Sequence, residues 1–236
     1  MKSTQTPCAI ITGASRGIGQ STAALFLEKG YDVINLARTP CSLPNIINHT
    51  TELSHPETFK KLALFLKEKI KAKKKICLVH NAMTSSRDNI RTLAAQHLRN
   101  VLELGIVAPL ELNQICLPLM AANSSIIYIG STLSEKAVPN AAAYVIQKHA
   151  TVGLMRSTCQ DLAGMDIHTA CVCPGFTDTA MLREHVSPEI LQQLADRVAA
   201  KRLLAPEEIA KLIYFCAENP AINGSVIHAH LGQIES

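Results

Sequence analysis

Short apolar runs alternate with helix-patterned segments along the whole chain, and this alternation limits the fold more than any other feature. The runs are CAIIT at 8–12, DVINLA at 32–37, a weaker one near 45–50, KICLVH at 75–80, SIIYIG at 125–130, IHTACVC at 167–173 and SVIHA at 225–229. Most lack the apolar–polar alternation of a strand with one wet face. They read as strands buried on both faces, which occur in parallel sheets covered by helices. Between them, IGQSTAALFLEKG has helical spacing and ends at Gly30, and PETFKKLALFLKEKI is amphipathic. A long helix is expected over about 94–121, kinked at Pro109. Further helices are expected over about 141–163, in two short pieces over 178–200, and from Pro206 onward. Right-handed crossovers turn this order into a doubly wound sheet. The expected fold class is α/β, a single-domain Rossmann-type doubly wound parallel sheet of about seven strands flanked by helices. No linker, repeat or low-complexity stretch divides residues 1–236.

Composition excludes several functions. Aromatic residues make up 4% of the chain and Trp is absent, which argues against stacking on nucleic acid. The net charge of +4 suits small anionic phosphates. The densest basic run, Lys67 to Lys75, reads as a solvated helix end. The eight Cys include no CxxC pair, and no His or Cys cluster has metal-ligand spacing, so no metal is expected. Most Cys sit in apolar runs and read as small buried hydrophobes in a reducing compartment. The N-terminus enters a strand without a signal-peptide core, and no apolar stretch is read as approaching the roughly 20 residues of a membrane span. The expected location is cytoplasmic, with no membrane partner.

TGASRGIG, Thr12 to Gly19, follows the first strand and opens the first helix. That is where a phosphate-binding turn belongs: glycine permits a tight turn and close backbone approach, and the helix N-terminus offers N–H donors. YVIQK places Tyr144 and Lys148 four residues apart, on one helical face. A free Tyr ionises near pH 10, and a neighbouring ammonium favours the phenolate. Tyr144 can then exchange a proton with a carbonyl or alcohol oxygen. Ser131 ends the strand SIIYIGS, 13 residues before Tyr144.

These motifs, in this order, resemble the short-chain dehydrogenase/reductase family, in its NADP-preferring type. The glycine spacing is GxxxGxG, at Gly13, Gly17 and Gly19. The resemblance covers nearly the whole chain. It implies a catalytic set of Ser131, Tyr144 and Lys148, with Ser131 steadying the substrate oxygen and Lys148 bonding the nicotinamide ribose. It implies cofactor contacts at Gly13, Ser15, Arg16, Gly17, Ile18 and Gly19. Asn81 and Ala82 match the family's NAG on the adenosine side, with Met83 in place of its glycine. Pro174, Gly175, Thr177 and Thr179 match its PG-Thr segment on the nicotinamide side. Glu52 and Leu53 fall beside the adenine.

The choice of cofactor rests on charge. An NAD site puts an acid at the end of the second strand. Here Ala37 stands there, followed by Arg38, and Arg16 reaches the same corner. Two arginines favour a 2′-phosphate, hence NADP(H).

One family position departs. An Asn in the long helix, four residues before Pro109, supports a water that links Lys to solvent, and here that position is Gly105. A water or a neighbouring residue must substitute, or proton relay is impaired. The expected activity is an NADPH-dependent carbonyl reductase that also runs as an alcohol dehydrogenase, of which 3-oxoacyl reduction is a known example. The alternative is an NADP-binding sensor or partner subunit with weak or no catalysis. The segment at about 179–201 is expected to form a short lid over a small-molecule carbonyl or alcohol substrate. The short connection from Arg38 to Glu52 implies a trimmed or missing helix. The family usually pairs into homodimers or homotetramers.

Overall fold

A computed structural model describes residues 5–84 and 87–233. Among the described residues seven strands are present: β1 (Cys8–Thr12), β2 (Asp32–Ala37), β3 (Ile46–Thr50), β4 (Ile76–His80), β5 (Ser124–Ile129), β6 (Ile167–Pro174) and β7 (Ser225–Ala229). They form one all-parallel sheet in the order β3-β2-β1-β4-β5-β6-β7. Eight α-helices accompany them: α1 (Gly17–Glu28), α2 (Thr58–Lys69), α3 (Ala95–Leu102), α4 (Ala108–Cys116), α5 (Ala142–Asp161), α6 (Ala180–His185), α7 (Pro188–Asp196) and α8 (Pro206–Glu218). This is the doubly wound fold that the alternating pattern implies.

Successive strand residues face opposite ways, so each apolar run supplies two cores. Ile10, Leu78, Ile126 and Tyr128 face α2, α4 and α5, where Leu62, Leu112 and Met155 meet them. Ile11, Val79, Ile127 and Val172 face the other way, onto Phe26 of α1 and Ile213 of α8. Strand order reverses at β1, which lies between β2 and β4, and ligands in such sheets bind beyond the strand ends at that switch. Residues 38–45 hold no helix, as the short connection implies.

The long helical run differs from expectation in two ways. Its disruption sits one turn before Pro109, as a π turn over Glu103–Val107. Pro109 has no N–H for the Gly105 carbonyl, and its ring crowds that carbonyl, so the local hydrogen-bond pattern widens. The run Ala95–Leu119 is also 25 residues long and apolar enough to cross a membrane by length and composition, contrary to the sequence reading. Its apolar side is instead used inward: Val101, Ala108, Leu112 and Cys116 are buried. The basic run is tied down at its end, where Lys74 pairs with Asp32 at 3.0 Å and Lys75 with Glu218 at 2.7 Å.

Candidate cofactor and active site

The glycine turn closes the carboxyl end of β1. Gly13 and Gly17 have φ of 72° and 57°, the left-handed region that favours glycine. A Cβ on Gly19 would run into the Gly13 carbonyl and stand 2.6 Å from Asn81 Nδ2. Thr12 Oγ1 accepts from the backbone N–H groups of Asn81 and Ala82, each at 2.9 Å. Asn81 Nδ2 donates to the carbonyls of Thr12 and Gly13, each at 3.0 Å. The turn is therefore locked to the end of β4. Ser15 is half-buried in the turn and Arg16 is exposed just before α1. No side chain caps α1, so the N–H groups around Ile18 and Gly19 remain available to an anion. A backbone cradle that glycine keeps open, at an uncapped helix start, fits a dinucleotide pyrophosphate.

Sequence reasoning missed Asn35, a polar residue inside an apolar run. It is 1% exposed, and its Oδ1 accepts from Ala14 N–H at 2.9 Å. Its Nδ2 donates to Asn48 Oδ1 at 2.9 Å. The signal was the polar residue itself, since a buried amide must be hydrogen-bonded.

The adenosine corner is less open than expected. Arg38 lies at the surface, 3.8 Å from Glu52, and Glu52 also accepts from Ser54 Oγ at 2.9 Å. Arg16 pairs with Glu184 of α6 at 2.6 Å. Each arginine thus faces a carboxylate from a distant part of the chain, which local sequence could not reveal. Both arginines are exposed, Glu184 is exposed and Glu52 half-buried, and ion pairs so open to water contribute little to stability. The Leu53 side chain is buried in the core, so only its backbone can border a ligand.

On the other side of the groove, Pro174 ends β6 beside Ala229. A Cβ on Gly175 would stand 2.8 Å from His230 Cβ. Thr177 is buried, with Oγ1 donating to the Gly175 carbonyl at 3.1 Å. Thr179 caps α6, accepting from Leu182 N–H at 3.3 Å. Its methyl group would stand 3.3 Å from a Cβ on Gly17, so the PG-Thr segment reaches across to the glycine turn. Residues 179–201 hold α6 and α7, and Ala199 N–H donates to the Gly232 carbonyl at 2.7 Å.

Ser131 follows the end of β5, and α5 brings Lys148, with Tyr144 beside it, to the same strand end. Ser131 is buried, its N–H donates to Ser134 Oγ at 3.1 Å, and its Oγ accepts from Leu133 N–H at 3.1 Å. With Oγ used as an acceptor, its own proton is left for an oxygen in the groove. Lys148 is 2% exposed, and its Nζ donates to the Ile129 carbonyl at 2.7 Å. The same Nζ lies 5.5 Å from the centre of the half-buried Tyr144 ring. Helix α5 delivers both side chains to the end of β5, as their spacing implies.

Gly105 also finds its explanation here. A Cβ there would stand 2.5 Å from Gln147 Cγ and 2.6 Å from Cδ. Gln147, buried and next to Lys148, fills the space where a side chain at 105 would lie. Met83, the other departure, is half-buried beside Ala82.

Beneath the groove, His80 Nε2 lies 2.8 Å from Asn113 Oδ1, and Asn113 Nδ2 donates to Tyr128 Oη at 2.6 Å. Burial pushes the His80 pKa down to about 4, against a smaller upward effect of Asn113. Next to Ser131, Cys171 and Cys173 lie with sulfurs 3.9 Å apart on one face of β6. The Cys171 thiol and the hydroxyl of Ser134 hold the Cys173 pKa below the usual thiol value. Burial raises the thiols of Cys8, Cys77, Cys116 and Cys216 to about 12, as suits inert core groups.

The chain is similar to known proteins over most of its length. It is 29% identical to protein FixR of Bradyrhizobium diazoefficiens, over 95% of this chain and 85% of that one. It is 26% identical to the 3-oxoacyl-[acyl-carrier-protein] reductase FabG of Thermotoga maritima, over 92% of this chain and 94% of the other. Its fold superposes on 4-hydroxyisoleucine dehydrogenase complexed with NADH, with a TM-score of 0.83 and 23% identity, over 97% of this chain and 98% of that one. Residues 13–233 match the family described as enoyl-(acyl carrier protein) reductase. With the parallel sheet and the glycine turn, this match means that the chain belongs to the short-chain dehydrogenase/reductase family, oxidoreductases that use a nicotinamide cofactor.

Proposed function

We propose that this protein is an NADP(H)-dependent carbonyl reductase that also runs as an alcohol dehydrogenase, with Tyr144 as the proton-exchanging group. The observation that carries this reading is the Lys148 ammonium, buried and 5.5 Å from the centre of the Tyr144 ring. It sets a fixed positive charge beside the group that would exchange a proton with the substrate oxygen, where negative charge develops in the transition state. When bound, the nicotinamide supplies or accepts the hydride. Tyr144 gives its proton to the substrate oxygen in reduction and takes it back in oxidation. The free Ser131 hydroxyl proton bonds the same oxygen as negative charge grows on it. Ile129, by holding Lys148, keeps the ammonium in place through the cycle.

The glycine turn would hold the pyrophosphate, Arg38 and Arg16 the 2′-phosphate, and Thr177 and Thr179 the nicotinamide end. A phosphate carrying about two negative charges can draw both exposed arginines from their carboxylate partners. The likeness to FabG makes 3-oxoacyl groups the first substrates to try.

The test is a carbonyl-substrate screen that follows NADPH oxidation, with cofactor titrations alongside. Tyr144→Phe should lower kcat by roughly 100-fold or more while cofactor Kd changes by less than about threefold. Turnover unchanged in that variant overturns the assignment of Tyr144. NADPH should bind more tightly than NADH, and Arg38→Ala should narrow the gap. Equal affinities in the wild type overturn the choice of NADP(H).

A further inference from the structure

A chain of buried hydrogen bonds below the groove fixes the protonation of His80. Thr158 Oγ1 donates to the Leu154 carbonyl at 2.8 Å, so it must accept from Tyr128 Oη, 3.0 Å away. Tyr128 Oη in turn accepts from Asn113 Nδ2, which leaves Asn113 Oδ1 as the acceptor for His80 Nε2. His80 is thus the neutral tautomer with its proton on Nε2, and Nδ1 carries a bare lone pair. Burial, which holds the pKa far below neutrality, agrees with the neutral ring. Yet Nδ1 is buried, and no protein group among the described residues bonds it. Buried acceptors are rarely left unsatisfied, because each one costs about 1–3 kcal/mol.

The same ring lines a small cavity that also touches Thr12, Gly105, Gln147, Lys148 and Thr151. Its volume, about 10 Å³, is at the lower limit for one water. The Lys148 ammonium has three protons, and among the described residues only the Ile129 carbonyl takes one. One residue with donor protons to spare and one with an unpartnered buried acceptor therefore line one water-sized space. The Gln147 amide adds polar lining, in the room that Gly105 leaves. Thr12 Oγ1 is already committed to Val79, Asn81 and Ala82.

We propose that one internal water joins Lys148 Nζ to His80 Nδ1, which makes His80 a positioning residue for the Lys148 ammonium. The water accepts from Lys148 and donates to His80. Through Asn113, Tyr128 and Thr158, the buried network then braces Lys148 against α4 and α5. This rests on the reading of Tyr144 and Lys148 as the reacting pair. The existence of the water does not.

Two substitutions split the ring's functions. In His80→Asn, the side-chain amide ends near the position of Nδ1 and can receive the water, while the bond to Asn113 is lost. In His80→Gln, the amide reaches Asn113 and the water loses its acceptor. A purely structural His80 is mimicked better by Gln, and a positioning His80 by Asn. We expect kcat to fall at least about tenfold further in H80Q than in H80N, while H80N is the less stable in urea. The opposite order of kcat overturns the proposal. A high-resolution crystal structure and histidine ¹⁵N spectra give readings independent of turnover. They should show a water bonded to both atoms, and a His80 that stays protonated on Nε2 at neutral pH. A dry cavity, or a proton on Nδ1, overturns the proposal even in an active enzyme. The water present in a chain that turns over no carbonyl substrate supports the site and counts against the Proposed function alone.

Discussion

At the scale of single residues, Gly105 and Gln147 behave as one unit. Gly in a helix interior costs about 1 kcal/mol against Ala, so in isolation Gly105→Ala should stabilise. Here the added Cβ would stand 2.5 Å from Gln147 Cγ and 2.6 Å from Cδ, atoms in the middle of a buried side chain that must shift bodily. Overpacking of this kind costs about 1–3 kcal/mol and wins over propensity. Urea denaturation should show Gly105→Ala less stable than wild type, and Gln147→Ala in the same background should restore most of the loss. Additive effects in the double-mutant cycle would show that the two do not share the space. The glycine was legible as an oddity in a helix pattern. Its occupant was not, because residues 105 and 147 come together only when α5 packs on the π turn.

Among elements, the decisive joint is the one between β1, β2 and β4. Thr12, Gly13 and Asn81 tie the glycine turn to β4, and Asn35 ties it to β2. Removing the Asn35 amide leaves Ala14 N–H without its acceptor in a buried place. Asn35→Ala should therefore cost about 1–3 kcal/mol in urea unfolding. It should also weaken cofactor binding in a direct titration, since the turn keeps only the Gly13 N–H bond to the Leu36 carbonyl as its tie to β2. A variant that matches wild type in both measurements would show that the turn is held without the Asn35 side chain. The strands, the glycine turn and the Tyr144–Lys148 face could be read from spacing, because each is a local pattern. The π turn was only half legible: Pro109 marked a disruption, but its position depended on which carbonyl the ring displaces.

For the molecule as a whole, histidines drawn partly or wholly out of water contribute to the response to acid. His80 has its pKa lowered to about 4, and His49 and His168 are also lowered, in each case mainly by burial. The unfolded chain takes up these protons near pH 6.5 and the folded one only at lower pH. Between those values the unfolded state binds more protons, so stability falls as pH drops from 6.5 toward 4 and returns as pH rises. For His80 alone the change is on the order of 3 kcal/mol. Denaturation midpoints at pH 7.5 and pH 4.5 should show the loss, and His80→Asn should reduce it. A stability equal at both pH values would contradict a neutral, buried His80.

By itself the sequence determined the alternation of strands and helices, the phosphate-binding turn, and the common helical face of Tyr144 and Lys148. Each of these follows from periodicity or from the backbone freedom of glycine, which act over a few residues. Tertiary structure alone decided that Arg16 faces Glu184 and Arg38 faces Glu52, that Gln147 fills the space over Gly105, and that Asn35 braces the turn. It also decided that His80 and Lys148 line one cavity. These are pairings between residues far apart in the chain. No local preference encodes them, because they exist only once the sheet has brought its strand ends together.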